Sequence, residues 1–261
     1  MTVDITVTGV VQGVGFRPFV FRAAAETGIS GYVKNSGGIV RIKASGTYMQ
    51  INAFTSVLQK KAPEGAVIMD IKTEPAKDEN FSGFLIVQSD GEWDAEFPSF
   101  PPDISTCDMC VSEMENKSNR RYLYPYISCA VCGPRFSILD RFPYDRANTV
   151  MTDFEMCGDC KKEYSDTANR YARRHYAQTI SCSRCGPQAI LKMKNFELMG
   201  KGAVDEAVNM LNAGAVLGVK GIGGYQFVCT PESAYAVLKL REIKMRNRKP
   251  FAVMFPSIDR L

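Results

Sequence analysis

Residues 9–17 read Gly-Val-Val-Gln-Gly-Val-Gly-Phe-Arg, and residues 31–35 read Gly-Tyr-Val-Lys-Asn. These two stretches decide the reading of the first third of the chain. The first follows Val3, Ile5 and Val7, which alternate with polar residues at the period of a half-buried strand. A helix is predicted just beyond it, over 19–27. Glycines between a strand and a helix let successive backbone N–H groups converge and form an anion nest. The helix start adds partial positive charge. Arg17 adds a two-pronged donor for phosphate oxygens. Gln12, Gly13, Val14, Gly15, Phe16 and Arg17 are thus the candidate phosphate-binding loop, although a glycine-rich turn beside a surface arginine would look the same. Asn35 ends a second strand. Its amide can hold a water through the carbonyl and a phosphoryl oxygen through the NH₂. Taken alone, a turn residue ahead of Ser36-Gly37 explains it as well.

The pattern around these stretches completes a small domain. Strands are predicted near 31–35 and 38–44, joined by a tight turn at Ser36-Gly37. A helix follows over 48–60, with Met49, Phe54, Val57 and Leu58 as its apolar positions. Strands near 66–73 and 83–88 close the unit. The order is βαββαβ, an α+β ferredoxin-like sandwich with an antiparallel sheet and helices on one face. This region is assigned to 1–91.

Motif and context together resemble the acylphosphatase family, whose pattern G-x-V-Q-G-V-x-F-R followed by G-x-V-x-N is intact here. The resemblance implies that Arg17 and the loop amides bind the phosphate and that Asn35 orients the attacking water. Arg17 and Asn35 would be the catalytic residues, with no metal needed for this step.

Residues 92–190 differ in character. They hold eight of the nine cysteines, in four Cys-x-x-Cys pairs: Cys107/Cys110, Cys129/Cys132, Cys157/Cys160 and Cys182/Cys185. The region is an internal repeat. Cys107, Cys110 and Asn119 recur fifty positions later, and the element Ile-Ser-Cys-x-x-Cys-Gly-Pro recurs after fifty-three. So short a unit buries little core and needs a staple. Two knuckles of two thiolates complete a tetrahedral zinc site with no open position. Two structural zinc ions are expected, paired within repeats or interleaved across them. Redox use of the pairs is the rival reading. His175, the only histidine, is assigned a polar supporting role, and Cys229 is read as a buried small hydrophobe.

Residues 191–261 resume α/β character: a hairpin over 189–200, a helix over 204–211, strands at 215–221 and 225–230, a helix over 233–244, and a buried strand at 250–255. This part carries 11 basic against 6 acidic residues, where 1–91 carries 9 against 8 and 92–190 carries 12 against 14. A basic excess beside a glycine-rich strand exit suits a nucleotide phosphate. Lys220, Gly223, Gly224 and Tyr225, with Lys244, Arg246 and Lys249, resemble the YrdC domain, which forms carbamoyl adenylates. No sheet closes before Leu261, so this domain is expected to be truncated.

In this order, the three regions resemble the carbamoyltransferase family of hydrogenase maturation, HypF. The stretches FPPDISTCDMC, CGPRFSIL, FPYDRANTVM and NRYARRHYAQ support the match, with the histidine of the last one place earlier than the pattern. The resemblance implies hydrolysis of carbamoyl phosphate and activation of the carbamate with ATP. The carbamoyl group then passes to the C-terminal cysteine of the partner HypE, as precursor of the cyanide ligand of nickel–iron hydrogenase. Two other classes are weighed: a stand-alone acylphosphatase with structural zinc sites, and a zinc-dependent chaperone or RNA-binding module. RNA is not expected as a partner, because a pure binder has no use for the 9–17 and Asn35 pattern. Composition is that of a globular protein, 45% apolar and 23% charged. No apolar run has membrane-span length, and 1–10 lack a signal pattern. The expected location is cytoplasmic, with no membrane partner.

Overall fold

The alternation at the N-terminus becomes β1 (Thr2–Val10), with Val3, Ile5 and Val7 at most 3% exposed in a computed structural model. The structure describes residues 1–91, 99, 101–167, 169 and 172–260. β1 lies between β3 (Ile39–Ser45) and β4 (Val67–Ala76), antiparallel to both. β2 (Ser30–Ser36) pairs antiparallel with β3, and β5 (Phe84–Ile86) adds parallel to β2. The sheet order is β4-β1-β3-β2-β5. The parallel pair departs from the expected all-antiparallel sheet. After β4 the chain crosses from one sheet edge to the other, so β5 arrives beside β2 instead of making a hairpin.

Two helices cover one face. α1 (Phe16–Thr27) begins three residues before the predicted start, directly at the end of the glycine loop. α2 (Tyr48–Lys60) is opened by Thr47, whose hydroxyl accepts from the Gln50 N–H while the Gln50 side chain accepts from the Thr47 N–H. Phe16, Val20, Phe54 and Leu58 meet Val7 and Ile42 of the sheet in one core. Each such fully buried side chain contributes about 1.5–3 kcal/mol. α2 faces inward with Ile51, Phe54 and Leu58. Met49 is instead 81% exposed, because its position in the first turn points away from that face. The β2–β3 turn is Gly37-Gly38 and not Ser36-Gly37, since Ser36 pairs with Ile39.

In the cysteine-rich region, α3 (Asp108–Glu115) and α4 (Gly158–Tyr164) each open immediately after the first cysteine of a pair. The other described residues of this region form turns, isolated β-bridges and three short 3-10 helices at Phe136–Ile138, Arg146–Asn148 and Val150–Asp153. Its cores are thin: Tyr124 and Ile127 beside one cysteine cluster, Ala177 and Ile180 beside the other. The boundary expected at residue 92, and Arg170 and Tyr171 of the NRYARRHYAQ stretch, lie outside the described residues.

The chain divides into compact units at 1–187 and 188–261. The first holds both the sheet and the cysteine-rich region. In the second, β6 (Ile190–Lys192) and β7 (Glu197–Met199) form a hairpin, followed by α5 (Gly200–Asn212). A second hairpin of β8 (Leu217–Gly221) and β9 (Gly224–Val228) precedes α6 (Ala234–Lys244). Residues 250–255, expected as a buried strand, are irregular, since a strand forms only against a pairing partner. Cys229 is half-buried, not buried. Among the described residues, no helix is long and apolar enough to cross a membrane.

Candidate functional site

The loop between β1 and α1 has the shape that its glycines permit. Gly13 and Gly15 sit at φ 72° and 75°, left-handed values that bend the chain back on itself. Because α1 starts at Phe16, the N–H groups of Phe16 and Arg17 have no intrahelical acceptor. The Val14 and Phe16 side chains are buried in the core, so they bring only backbone to the site. Gln12 is committed elsewhere. Its Nε2 donates to the carbonyls of Gly37 and Ile39, at 2.9 Å each. It ties the loop to the β2–β3 hairpin and leaves phosphate contact to the backbone.

Arg17 and Asn35 both reach the mouth of this loop. Arg17 is 8% exposed and donates to Ser89 Oγ at 3.1 Å. Asn35 is 1% exposed; its Nδ2 donates to the Tyr144 carbonyl at 3.3 Å, and its Oδ1 is buried without a hydrogen-bond partner. A buried acceptor left open in this way is a place for a water.

The other wall comes from the cysteine-rich region, which the sequence reading did not bring to this site. The Tyr144 N–H donates to Gln12 Oε1 at 2.8 Å, and Asp145 Oδ1 stands 2.5 Å from an Arg17 terminal nitrogen. Arg135 donates to the Gly13 carbonyl and to the carbonyls of Cys132 and Ala130, linking a metal knuckle to the loop. Gly13, Arg17, Asn35, Arg135, Tyr144 and Gln178 line a partly open pocket with about 20 Å³ of free space. That is room for about one water molecule. Tyr144 and Asp145 belong to the FPYDRANTVM stretch, whose recurrence in the resembled family was the available signal.

The eight cysteines form two clusters, each within one repeat: Cys107, Cys110, Cys129 and Cys132, then Cys157, Cys160, Cys182 and Cys185. All eight are free thiols. Neighbouring sulfurs stand 3.6–3.9 Å apart in the first cluster and 3.6–3.8 Å apart in the second. A tetrahedron with Zn–S bonds of about 2.3 Å requires about 3.8 Å between sulfurs. The two clusters therefore fit two structural zinc ions, and interleaved pairing is ruled out. A hydrogen bond from the Cys160 backbone, opposed by burial, holds the Cys157 thiol down at about 6, ready for thiolate ligation.

The repeats brace each other reciprocally. Arg121 donates to the Ser181 carbonyl at 2.8 Å and to Glu163 at 2.7 Å, and Arg120 reaches Cys160 Sγ at 3.1 Å. At the equivalent places, Arg174 donates to the Ser128 carbonyl at 3.0 Å and to Glu113 at 2.6 Å, and Arg173 reaches Cys110 Sγ at 2.8 Å. Each repeat thus supplies guanidinium charge to the other's thiolates. Burial raises the Glu163 carboxyl, but the hydrogen bond and charge of Arg121 outweigh it, and the net shift is downward. Arg174→Ala should cost about 1–3 kcal/mol, because it leaves the buried Ser128 carbonyl without its donor and removes one of the two guanidinium partners of Glu113. Arg184→Ala, from an ion pair on the exposed surface, should cost under about 0.5 kcal/mol. Thermal unfolding of the zinc-loaded chain checks both, and equal losses would deny the bracing. His175 is not a ligand of either cluster. It packs edge-on to Phe21 of α1, where burial, aided by Arg22, holds its basicity below the usual range.

In the second unit, the candidate nucleotide residues are exposed or half-exposed. Lys220 pairs with Tyr225 beside the Ile222-Gly223 hairpin turn, and Gly224 opens β9 opposite Gly221. Lys244 reaches the same hairpin, its Nζ 5.6 Å from the Phe227 ring. Arg246 stacks on Phe251 at 5.5 Å, and the Lys249 carbonyl accepts from Arg241. Lys244 is therefore gathered to the hairpin, whereas Arg246 and Lys249 lie in the turn after α6.

The acylphosphatase family model matches residues 3–86, the HypF finger model matches 106–139 and 156–191, and the Sua5/YciO/YrdC model, described as telomere recombination, matches 209–261. The carbamoyltransferase HypF of Rhodobacter capsulatus is 42% identical over 256 residues, 98% of this chain and 33% of that protein. An acylphosphatase of Archaeoglobus fulgidus is 41% identical over 87 residues, 33% of this chain and 97% of that protein. The crystal structure of full-length HypF in the phosphate- and nucleotide-bound form superposes with a TM-score of 0.88 at 35% identity, covering 99% of this chain and 33% of that one. The HypF structure from T. kodakarensis gives 0.87 at 37% identity, covering 99% of this chain and 32% of that one. The chain thus spans about a third of the length of the HypF proteins that it matches. Over 98–99% of its length the chain is similar to HypF carbamoyltransferases, with acylphosphatase, HypF-finger and YrdC-type regions in that order.

Proposed function

We propose that the first unit hydrolyses carbamoyl phosphate, as the opening step of HypF-type carbamoyl transfer. The observation that carries this is the open Asn35 Oδ1, buried in the same cavity as Arg17 and the Gly13–Gly15 turn. Arg17 and the loop N–H groups would hold the phosphoryl oxygens. Asn35 Oδ1 would accept a hydrogen bond from a water and set it in line with phosphorus. The water oxygen bonds to phosphorus, the phosphorus–oxygen bond to the acyl group breaks, and carbamate leaves with the electron pair while the water loses a proton. The fixed donors meet the charge on the phosphoryl oxygens without reorganising.

The carbamoyltransferase relatives and the nucleotide-bound form of one of them support extending this reading to later steps. Lys220, Gly223, Gly224, Tyr225, Lys244, Arg246 and Lys249 are assigned to the phosphates of ATP, which activates carbamate as an adenylate. The carbamoyl group would then pass to the C-terminal cysteine of HypE. Carbamate decays in water, so hand-over within one protein protects it. The cytoplasm, where ATP is available, suits this chemistry.

Asn35→Ala should lower kcat about 10²-fold and leave KM within about threefold, because the residue places water and not substrate. Steady-state kinetics with carbamoyl and benzoyl phosphate test this. A raised KM at unchanged kcat would give Asn35 a binding role only.

A further inference from the structure

The cysteine-rich region places a carboxylate where a substrate anion would sit. The Arg17–Asp145 ion pair is sheltered, with side-chain exposures of 9% and 23%. A guanidinium binds carboxylate and phosphate through the same in-plane donors. The other Arg17 terminal nitrogen is occupied by Ser89. With Asp145 on Arg17, the partly open pocket beside them has about 20 Å³ of free space, room for about one water. A phosphoryl oxygen takes the terminal nitrogen that now faces Asp145 only when that carboxylate withdraws.

The surrounding backbone is anchored. Tyr144 N–H is held by Gln12, and the Arg146 guanidinium donates to the carbonyls of Gln178, Ile180 and Phe154 at 2.7, 2.9 and 2.6 Å. Exchange thus falls to the Asp145 side chain and not to the whole segment.

We propose that Asp145 is an internal competitor for the phosphate cradle, occupying the place of a phosphoryl oxygen on Arg17 at rest and yielding it when an acyl phosphate binds. This rests on the acylphosphatase reading of the site. After cleavage, inorganic phosphate is left on Arg17, and the returning carboxylate displaces it. The competitor weakens substrate and product alike, so it favours turnover wherever product release is slow. Since Asp145 and Arg17 come from different regions, the cysteine-rich region sets the affinity of the cradle.

The test uses the full zinc-loaded chain with Asp145→Asn and Asp145→Ala. Inorganic phosphate binding is measured by calorimetry, KM for carbamoyl phosphate by phosphate release, and integrity by zinc count. Both variants should bind phosphate about tenfold more tightly, the scale of one sheltered charge-assisted pair, and KM should fall in parallel. A merely structural role predicts weaker binding, so the direction of change separates the two. Unchanged or weaker phosphate binding in variants that keep two zinc ions overturns the proposal. If the wild-type chain fails to hydrolyse acyl phosphates while the variants bind phosphate more tightly, the reaction assignment fails and the competitor stands.

Discussion

Arg17→Ala is expected to lower kcat/KM for acyl phosphate hydrolysis by at least about 10²-fold, the scale of removing one preset charge-stabilising group. Arg17 follows the turn at Gly13 and Gly15 two residues on, lines the same pocket, and is buried. No solvent ion replaces it there without loss of geometry. Arg17→Lys keeps the charge and loses the fork, so its rate should fall between wild type and the alanine variant. Both variants should retain two zinc ions, which separates loss of chemistry from loss of fold. Near-full activity in Arg17→Ala would remove the phosphatase assignment.

Zinc removal should have the second large effect. Each cysteine cluster is accompanied by only a thin apolar core, so metal ligation is that region's main source of order. Structural zinc in such sites is worth roughly 10–16 kcal/mol of folding free energy at neutral pH. A strong chelator should release two ions per chain and abolish hydrogen-exchange protection over 107–185. The five-stranded sheet has its own core and should stay protected. Phosphate release should continue, with a lower KM, because unfolding takes Asp145 off Arg17. A count of one or zero zinc ions, or loss of protection in β1 and β3 together with the clusters, would contradict this.

The glycine loop and the cysteine pairs were legible in the sequence because their chemistry is local: positive φ at Gly13 and Gly15, and two thiolates within one turn. What each residue of a motif does was less legible. Gly9 belongs to the loop pattern, yet a side chain there would stand 2.1 Å from the Val67 carbonyl oxygen, so its place is fixed by strand packing. Gln12 likewise serves as a tie. Helix α2 was placed correctly, but the choice of Met49 over Ile51 for its inner face depended on how the helix is rotated against the sheet. Cluster pairing, and the bracing of each repeat by the other's arginines, are tertiary choices that spacing leaves open. Asp145 is 128 positions from its partner Arg17, and neither residue alone signals the contact.

The most direct measurement is phosphate release from carbamoyl phosphate by the full zinc-loaded chain without ATP, followed against spontaneous decomposition. The expected result is saturable release that Arg17→Ala abolishes, that Asn35→Ala slows at unchanged KM, and that Asp145→Asn shifts to lower KM. Release no faster than spontaneous decomposition, at every substrate concentration and in a chain carrying two zinc ions, would contradict the assignment of this site to acyl phosphate hydrolysis.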